Sequence, residues 1–184
     1  MGKKKDLQII EAATSVFLRY GFRRSTMGDL AEAAGISRPS LYLRFCNKEK
    51  LFEAVLQEVA TRTLDEIRAG LAQQETPSEQ LRFAFECWAV KPFKLMQGSP
   101  DARDLTSCSL AFAEPVKSQS MTAFEALLVP ILQRLPGFRG QTETALGRVA
   151  HVLTLSVHGF KAEAKDSEEL RDMIETLLAL VAEA

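Results

Sequence analysis

The chain has 184 residues, of which 46% are hydrophobic and 26% charged, the balance of an ordinary globular protein. No run of 18 apolar residues occurs, which excludes a membrane-spanning helix, and the start Met1-Gly2-Lys3-Lys4-Lys5-Asp6 leads into no apolar signal segment. Asp6 also breaks the myristoylation pattern. Three widely spaced cysteines, Cys46, Cys87 and Cys108, are odd in number and suit no disulfide framework, so a reducing, cytoplasmic setting is expected.

The net charge of −1 hides an asymmetry. Residues 1–50 hold ten Lys and Arg against five Asp and Glu, a surplus of +5, which leaves −6 for the rest. A basic end joined to an acidic body suggests two tasks in one chain and points the basic end at a polyanion.

Helical spacing recurs along the whole chain, and no stretch alternates in the manner of a strand. Leu7, Ile10, Ala13, Phe17 and Tyr20 form the stripe of a first helix over about 4–20, with Gly21-Phe22 as its stop. Thr26 caps a short second helix, Asp29 stands three residues on, and Gly35 closes it. A third helix starts at Ser37, carries Arg38 and Pro39 in its first turn, and ends near Phe45. Asn47 caps a fourth, from Lys48 to about Ala69, with Gly70 as its stop.

Thr76-Pro77-Ser78-Glu79 places a cap, a first-turn proline and a glutamate at the third position, and so starts a fifth helix. It should run to about Met96, with Pro92 bending it. Ser99-Pro100-Asp101 starts a sixth. Pro115 starts a seventh, which meets Pro130 and stops before Pro136-Gly137. An eighth spans about 142–164, and a ninth runs from Asp166 or Ser167 to the C-terminus.

The segment Thr26-Met27-Gly28-Asp29-Leu30-Ala31-Glu32-Ala33-Ala34-Gly35-Ile36-Ser37-Arg38-Pro39-Ser40-Leu41-Tyr42-Leu43-Arg44-Phe45 has the helix-turn-helix plan. Ala31 is small enough for close helix approach, and Leu30, Ile36 and Leu41 can fill the contact. Gly35 supplies the turn. Polar residues at the start of the second short helix stand where a recognition helix meets base edges.

Residues 5–55 resemble the DNA-binding domain of the TetR/AcrR family of bacterial transcriptional regulators. The resemblance lies in Tyr20-Gly21-Phe22, Ser25-Thr26-Met27, Leu30 to Ser37, Leu41 to Phe45, and Asn47-Lys48-Glu49-Lys50-Leu51-Phe52. It implies an all-α fold of about nine helices. A three-helix DNA-binding domain over 1–50 would be followed by a helical effector-binding and dimerisation domain over 51–184.

The resemblance gives Thr26, Tyr42 and Lys48 as phosphate contacts and Arg38 and Ser40 as residues facing base edges. Arg38 could bond a guanine bidentately. Pro39 and Arg44 complete the expected DNA-binding set. Leu43-Arg44 departs from the aromatic or polar residue and the His or Tyr of many relatives, so base preference is not carried over. Lys3 to Lys5 could form an arm adding phosphate or minor-groove contacts.

In the body, Leu146, Leu153, Phe160, Leu170, Ile174, Leu177 and Val181 mark apolar stripes on the last two helices. Val152 and Leu155 lie off the stripe of the eighth, and a terminal helix apolar on more than one face needs an extra cover. The last two helices are therefore expected to form a two-fold four-helix dimer interface, which the resemblance also implies. By the same resemblance a small effector would sit among Trp88, Met96, Phe112, Met121, Phe124, His151, Leu155 and His158, and should be apolar or aromatic with one polar handle.

His151 and His158 lack metal-ligand company, so no metal or other cofactor is expected. No GxSxG, Walker loop, Rossmann fingerprint, HExxH or CxxC occurs, and an enzyme is not expected. The reading is therefore a homodimeric regulator, most simply a repressor, released from a palindromic double-stranded operator by a small hydrophobic effector. The alternative is a DNA-binding or chromosome-organising protein of the same fold without a ligand. A redox role for Cys46, Cys87 or Cys108 is left open.

Overall fold

The computed structural model describes residues 2–97 and 110–182. The helix expected from Ser99, the side chain of Lys3, and Cys108 lie outside them. Every regular element among the described residues is helical, as the spacing implied. Two compact units are formed by the described parts of Met1–Thr61 with Met96–Ser118, and of Arg62–Leu95 with Gln119–Ala184.

The first unit, the head, contains α1 (Gly2–Arg24), α2 (Met27–Ala33), α3 (Arg38–Tyr42) and the start of α4 (Lys48–Leu71). Gly21 breaks the helical path of α1 with φ 72° and ψ 170°, a conformation closed to residues with a β-carbon. Helical geometry then resumes to Arg24, four residues beyond the expected last helical residue, Tyr20. Gly35 makes the turn between α2 and α3 at φ 66°. The head core gathers Ile9, Ala13, Phe17, Phe22, Leu30, Leu41, Leu51 and Phe52. Its centre is a knot of rings: Phe52 meets Phe17 and Phe22 edge-on, each at 5.0 Å between centroids.

The second unit, the body, contains the end of α4, α5 (Pro77–Phe85), a π-helical segment (Glu86–Val90) and α6 (Lys91–Gln97) as far as Leu95. It continues with α7 (Glu114–Leu132) from Gln119 onward, α8 (Glu143–Glu163) and α9 (Ser167–Ala182). The helix expected from Pro77 to Met96 is present, but its turns widen before Pro92. The Lys91 N–H reaches back to the Glu86 carbonyl, five residues away. A proline lacks the N–H that the next helical bond requires, and the wider register falls just ahead of that loss. Pro130 is tolerated inside α7, one turn from its end.

Caps fall where the sequence placed them. Thr26 with Asp29, and Thr76 with Glu79, both form reciprocal capping boxes. The Asn47 carboxamide accepts from the Lys50 N–H at 2.8 Å, and the Asp166 carboxylate accepts from Glu168 and Glu169 N–H at 2.9 Å each. The α3 helix is shorter than expected and closes at Tyr42, with single turns carrying the chain through Phe45.

Gly70 is a correction. It does not stop α4 in a left-handed conformation; it lies within the last turn of that helix, buried against Phe83. A β-carbon there would stand 2.2 Å from Phe83 Cζ, so the absent side chain is what lets α5 approach α4. Gly70→Ala should destabilise the protein by about 1–3 kcal/mol despite the better helix propensity of alanine. Chemical denaturation checks this, and the loss should shrink when Phe83→Ala is already present.

Burial pushes the Lys161 ammonium of α8 down to about 8 from its usual 10.5. The folded form therefore holds the proton less tightly than the unfolded chain does. Between these two values the unfolded state binds more protons, so stability rises with pH there, and the full cost is present below pH 8. Denaturation midpoints of the wild type should climb relative to Lys161→Met as pH rises through that window. Parallel profiles would contradict this.

Candidate nucleic-acid interface

The site is built on two short helices whose starts are fixed by side chains. The Thr26 hydroxyl accepts from the Asp29 N–H at 3.2 Å, while the Asp29 carboxylate accepts from both the Thr26 N–H and hydroxyl at 2.8 Å. These bonds from Thr26 hold the Asp29 carboxyl below its usual range, with a smaller contribution from the Arg38 charge. At the start of α3, Ser37 Oγ accepts from the Ser40 N–H at 3.3 Å and stands 2.8 Å from Ser40 Oγ. The Leu41 side chain is fully buried, which pins α3 from beneath.

What α3 turns outward is the face a major groove would meet. Arg38, Pro39, Ser40 and Tyr42 are all exposed. The Arg38 side chain passes Gly28, its Cδ and Nε lying 3.9 Å from where a β-carbon on that residue would stand. Gly28 thus leaves room for the arginine beside the start of α2. Leu43 is 88% exposed, an unusual position for a large apolar side chain and one that the sequence reading noted only as a departure.

Two residues of the expected DNA-binding set, Lys48 and Arg44, have partners within the head. The Lys48 ammonium donates to the carbonyls of Phe22 and Ser25 at 2.8 Å and of Arg23 at 3.5 Å, and it sits 4.4 Å from the centre of the Phe22 ring. The last carbonyls of α1 lack helical partners, and a cation satisfies them. With its three donors spent inward, Lys48 positions the head and does not present a free charge. Arg44 likewise pairs with Asp6 of α1. Ser25, missed by sequence reasoning, is buried beside this junction, and its hydroxyl donates to the Gly21 and Phe22 carbonyls at 2.8 and 3.0 Å.

The residues expected around an effector are divided between the two units. Phe112 belongs to the head, 5.3 Å from Phe22 and 6.1 Å from Phe52 between ring centres. Met96 is also assigned to that unit. In the body, Trp88 stacks flat on Phe124 at 4.4 Å and 3°, with Phe85 edge-on to the same ring, and Phe124 is fully buried. That is close packing, with Met121 half-buried on the same helix. His151, Leu155 and His158 are exposed on α8. His151 Nδ1 meets Glu125 Oε1 at 2.9 Å at the surface.

The expected dimer residues divide in a similar way. Leu146, Leu153, Leu170 and Ile174 are buried within the chain's own body core, and Phe160, Leu177 and Val181 pack against it. The regular stripe thus serves the body's own core. The apolar side chains left outside are Val152 at 60%, Leu155 at 47% and Leu180 at 65% exposure. Gly147 and Gly159 have open space where a β-carbon would project.

An open groove of about 780 Å³ lies elsewhere in the body, between the end of α4, the start of α5 and the second half of α7. Sequence reasoning gave no sign of it, because its walls come from three separated stretches. No group of His, Cys, Asp and Glu among the described residues is arranged to hold a metal ion. No described helix is long and apolar enough to cross a membrane.

Comparison with known proteins agrees with this geometry. Residues 9–55 match the family described as bacterial regulatory proteins, tetR family. The chain is 33% identical over 81 residues to the HTH-type transcriptional activator FasR of Mycolicibacterium smegmatis, covering 44% of this chain and 37% of that protein. It is 37% identical over 78 residues to the probable acrEF/envCD operon repressor of Escherichia coli K12, covering 41% and 34%. The similarity thus spans about a third of the length of these relatives. The fold is shared with the transcriptional regulator FadR of Bacillus subtilis, solved in complex with stearoyl-CoA. That match has a TM-score of 0.63 at 18% identity and covers 96% of this chain and 97% of that one. Residues 9–55, the helix-turn-helix of the head, are thus similar to the DNA-binding segment of the tetR family of bacterial regulatory proteins.

Proposed function

We propose that the protein is a homodimeric, sequence-specific DNA-binding regulator, most simply a repressor, that leaves a palindromic operator when a small effector binds its body. The observation that carries the DNA-binding part is the exposed α3 face of Arg38, Pro39, Ser40 and Tyr42, held by a buried Leu41 and a double-capped turn. Arg38 and Ser40 would face base edges, and Tyr42 a phosphate. Thr26, at the start of α2, lies within reach of the backbone in such a docking. Lys48 and Arg44 would act by fixing the head, with their charges adding to the local field.

Dimerisation supports the same reading, because one head on a half-site makes few contacts. Two heads about 34–36 Å apart read successive major grooves on one face of a duplex. The outward surface of Val152, Leu155 and Gly159 on α8, with Leu180 on α9, is the face we assign to the partner copy. The effector would have to favour a conformation whose heads no longer match those grooves. α4 supplies residues to both units and is the element through which that preference would pass. The stearoyl-CoA bound to one structural neighbour supports an amphipathic effector for this body too. The stacked packing of Trp88 and Phe124 favours the second reading, a regulator of the same fold without a ligand.

Arg38→Ala should weaken operator binding by about 1–3 kcal/mol and relax selectivity at one base pair, whereas Tyr42→Phe should weaken binding evenly across sequences. Salt-titrated binding assays on wild-type and substituted half-sites separate the two. Unchanged affinity and selectivity in Arg38→Ala would remove it from the reading surface. Leu155→Glu should leave the melting temperature of the chain nearly intact while shifting sedimentation toward the monomer and weakening operator binding by at least about tenfold. A dimer as stable as the wild type would move the interface elsewhere.

A further inference from the structure

We infer that the groove between α4, α5 and α7 is a binding site for an anionic amphiphile, a single alkyl chain ending in a carboxylate or phosphate ester. Its volume of about 780 Å³ lies in the range of about 300–1,000 Å³ typical of small-molecule sites. Leu71, Ala123, Ala126, Leu127 and Ile131 give it an apolar lining, suited to a hydrocarbon chain. Gln80, Arg68 and Arg134 give it a polar end.

That end is organised in advance by a relay of hydrogen bonds. Gln80 is only 8% exposed, and its Nε2 donates to the carbonyls of Leu71 at 3.0 Å and Gln74 at 3.3 Å. These bonds fix which way its amide points, so Oε1 is left to accept from Arg134 Nη2. Arg134 Nε donates to the Pro130 carbonyl at 3.3 Å. The guanidinium is thereby held by two neutral acceptors, and among the described residues no carboxylate pairs with it. A guanidinium has five N–H donors, so further donors remain for a ligand. Arg68 pairs with Asp65 at 2.8 Å and adds a second, partly compensated cation to the lining.

An arginine locked in place by a buried amide loses less freedom on meeting an oxyanion than a free surface arginine does. Arg134 is exposed at the groove, so a neutral ligand would gain nothing from the guanidinium, and a bare inorganic anion would gain nothing from the apolar lining. The combination selects a molecule with both parts. The assignment rests on the effector reading only for its regulatory consequence, and the two are measured separately.

Calorimetric titration of the full-length protein with decanoate, below the micellar range, should show one saturable site per chain. Decyl phosphate should bind comparably and decan-1-ol at least about tenfold more weakly, with inorganic phosphate alone giving no saturation. Arg134→Gln should weaken decanoate by at least about tenfold, and Ala126→Trp, an exposed position on the groove wall, should block it. Thermal melts verify that both variants fold. The assignment is overturned if decanoate shows no saturable binding, if decan-1-ol binds as well, or if either variant binds like the wild type. Operator affinity with and without decanoate is read on the same preparations. Binding without release keeps the site and removes its role as effector site, while loss of operator recognition in the unliganded protein sinks the regulator reading alone.

Discussion

The ammonium of Lys48 stands where the chain needs a cation most. Three main-chain carbonyls at the end of α1 converge on it, and the Phe22 ring lies beside it. A helix end leaves such carbonyls without partners, and burying them unpaired would cost far more than one ordinary hydrogen bond returns. The lysine meets that need from the first turn of α4, so the end of one helix is tied to the beginning of another 26 residues later. The aromatic cluster of Phe17, Phe22 and Phe52 forms around the same junction, and Ser25 closes its other side. The turn into α2 and the presentation of α3 follow from that junction. A reading helix of only five residues has no stability of its own, and its position is inherited from the frame beneath it.

Much of this was legible in the amino-acid order because it is local. Thr26 with Asp29, Thr76 with Glu79, Asn47 and Asp166 announce helix starts through short side chains that can reach only their own turn. Gly35 and Pro39 are read the same way. The exposure of Arg38, Ser40 and Tyr42 was legible as well, since it follows once Leu41 is placed inside.

What failed to show was everything decided by distant partners. Lys48 and Arg44 look like free charges in sequence, and only the fold supplies the carbonyls and Asp6 that occupy them. Phe112 is one more aromatic in a helical stretch until it is found against Phe22 in the head. Gly70 reads as a helix stop, yet its role is to admit the Phe83 ring. The regular stripes on α8 and α9, expected at an intermolecular surface, line or border the chain's own body core, a use that regular spacing serves equally. Val152 and Leu155, which lie off the stripe, stay exposed, and so does Leu180.

The account stands on the claim that the α3 face reads base edges in a major groove. Footprinting and methylation interference on the DNA flanking this coding region, at physiological salt, test that claim most directly. The account predicts a protected inverted repeat whose half-sites lie about one helical turn apart, with binding blocked by methylation of guanine N7 in each half. Uniform protection that follows only salt and DNA concentration, with no guanine whose methylation matters, would contradict it.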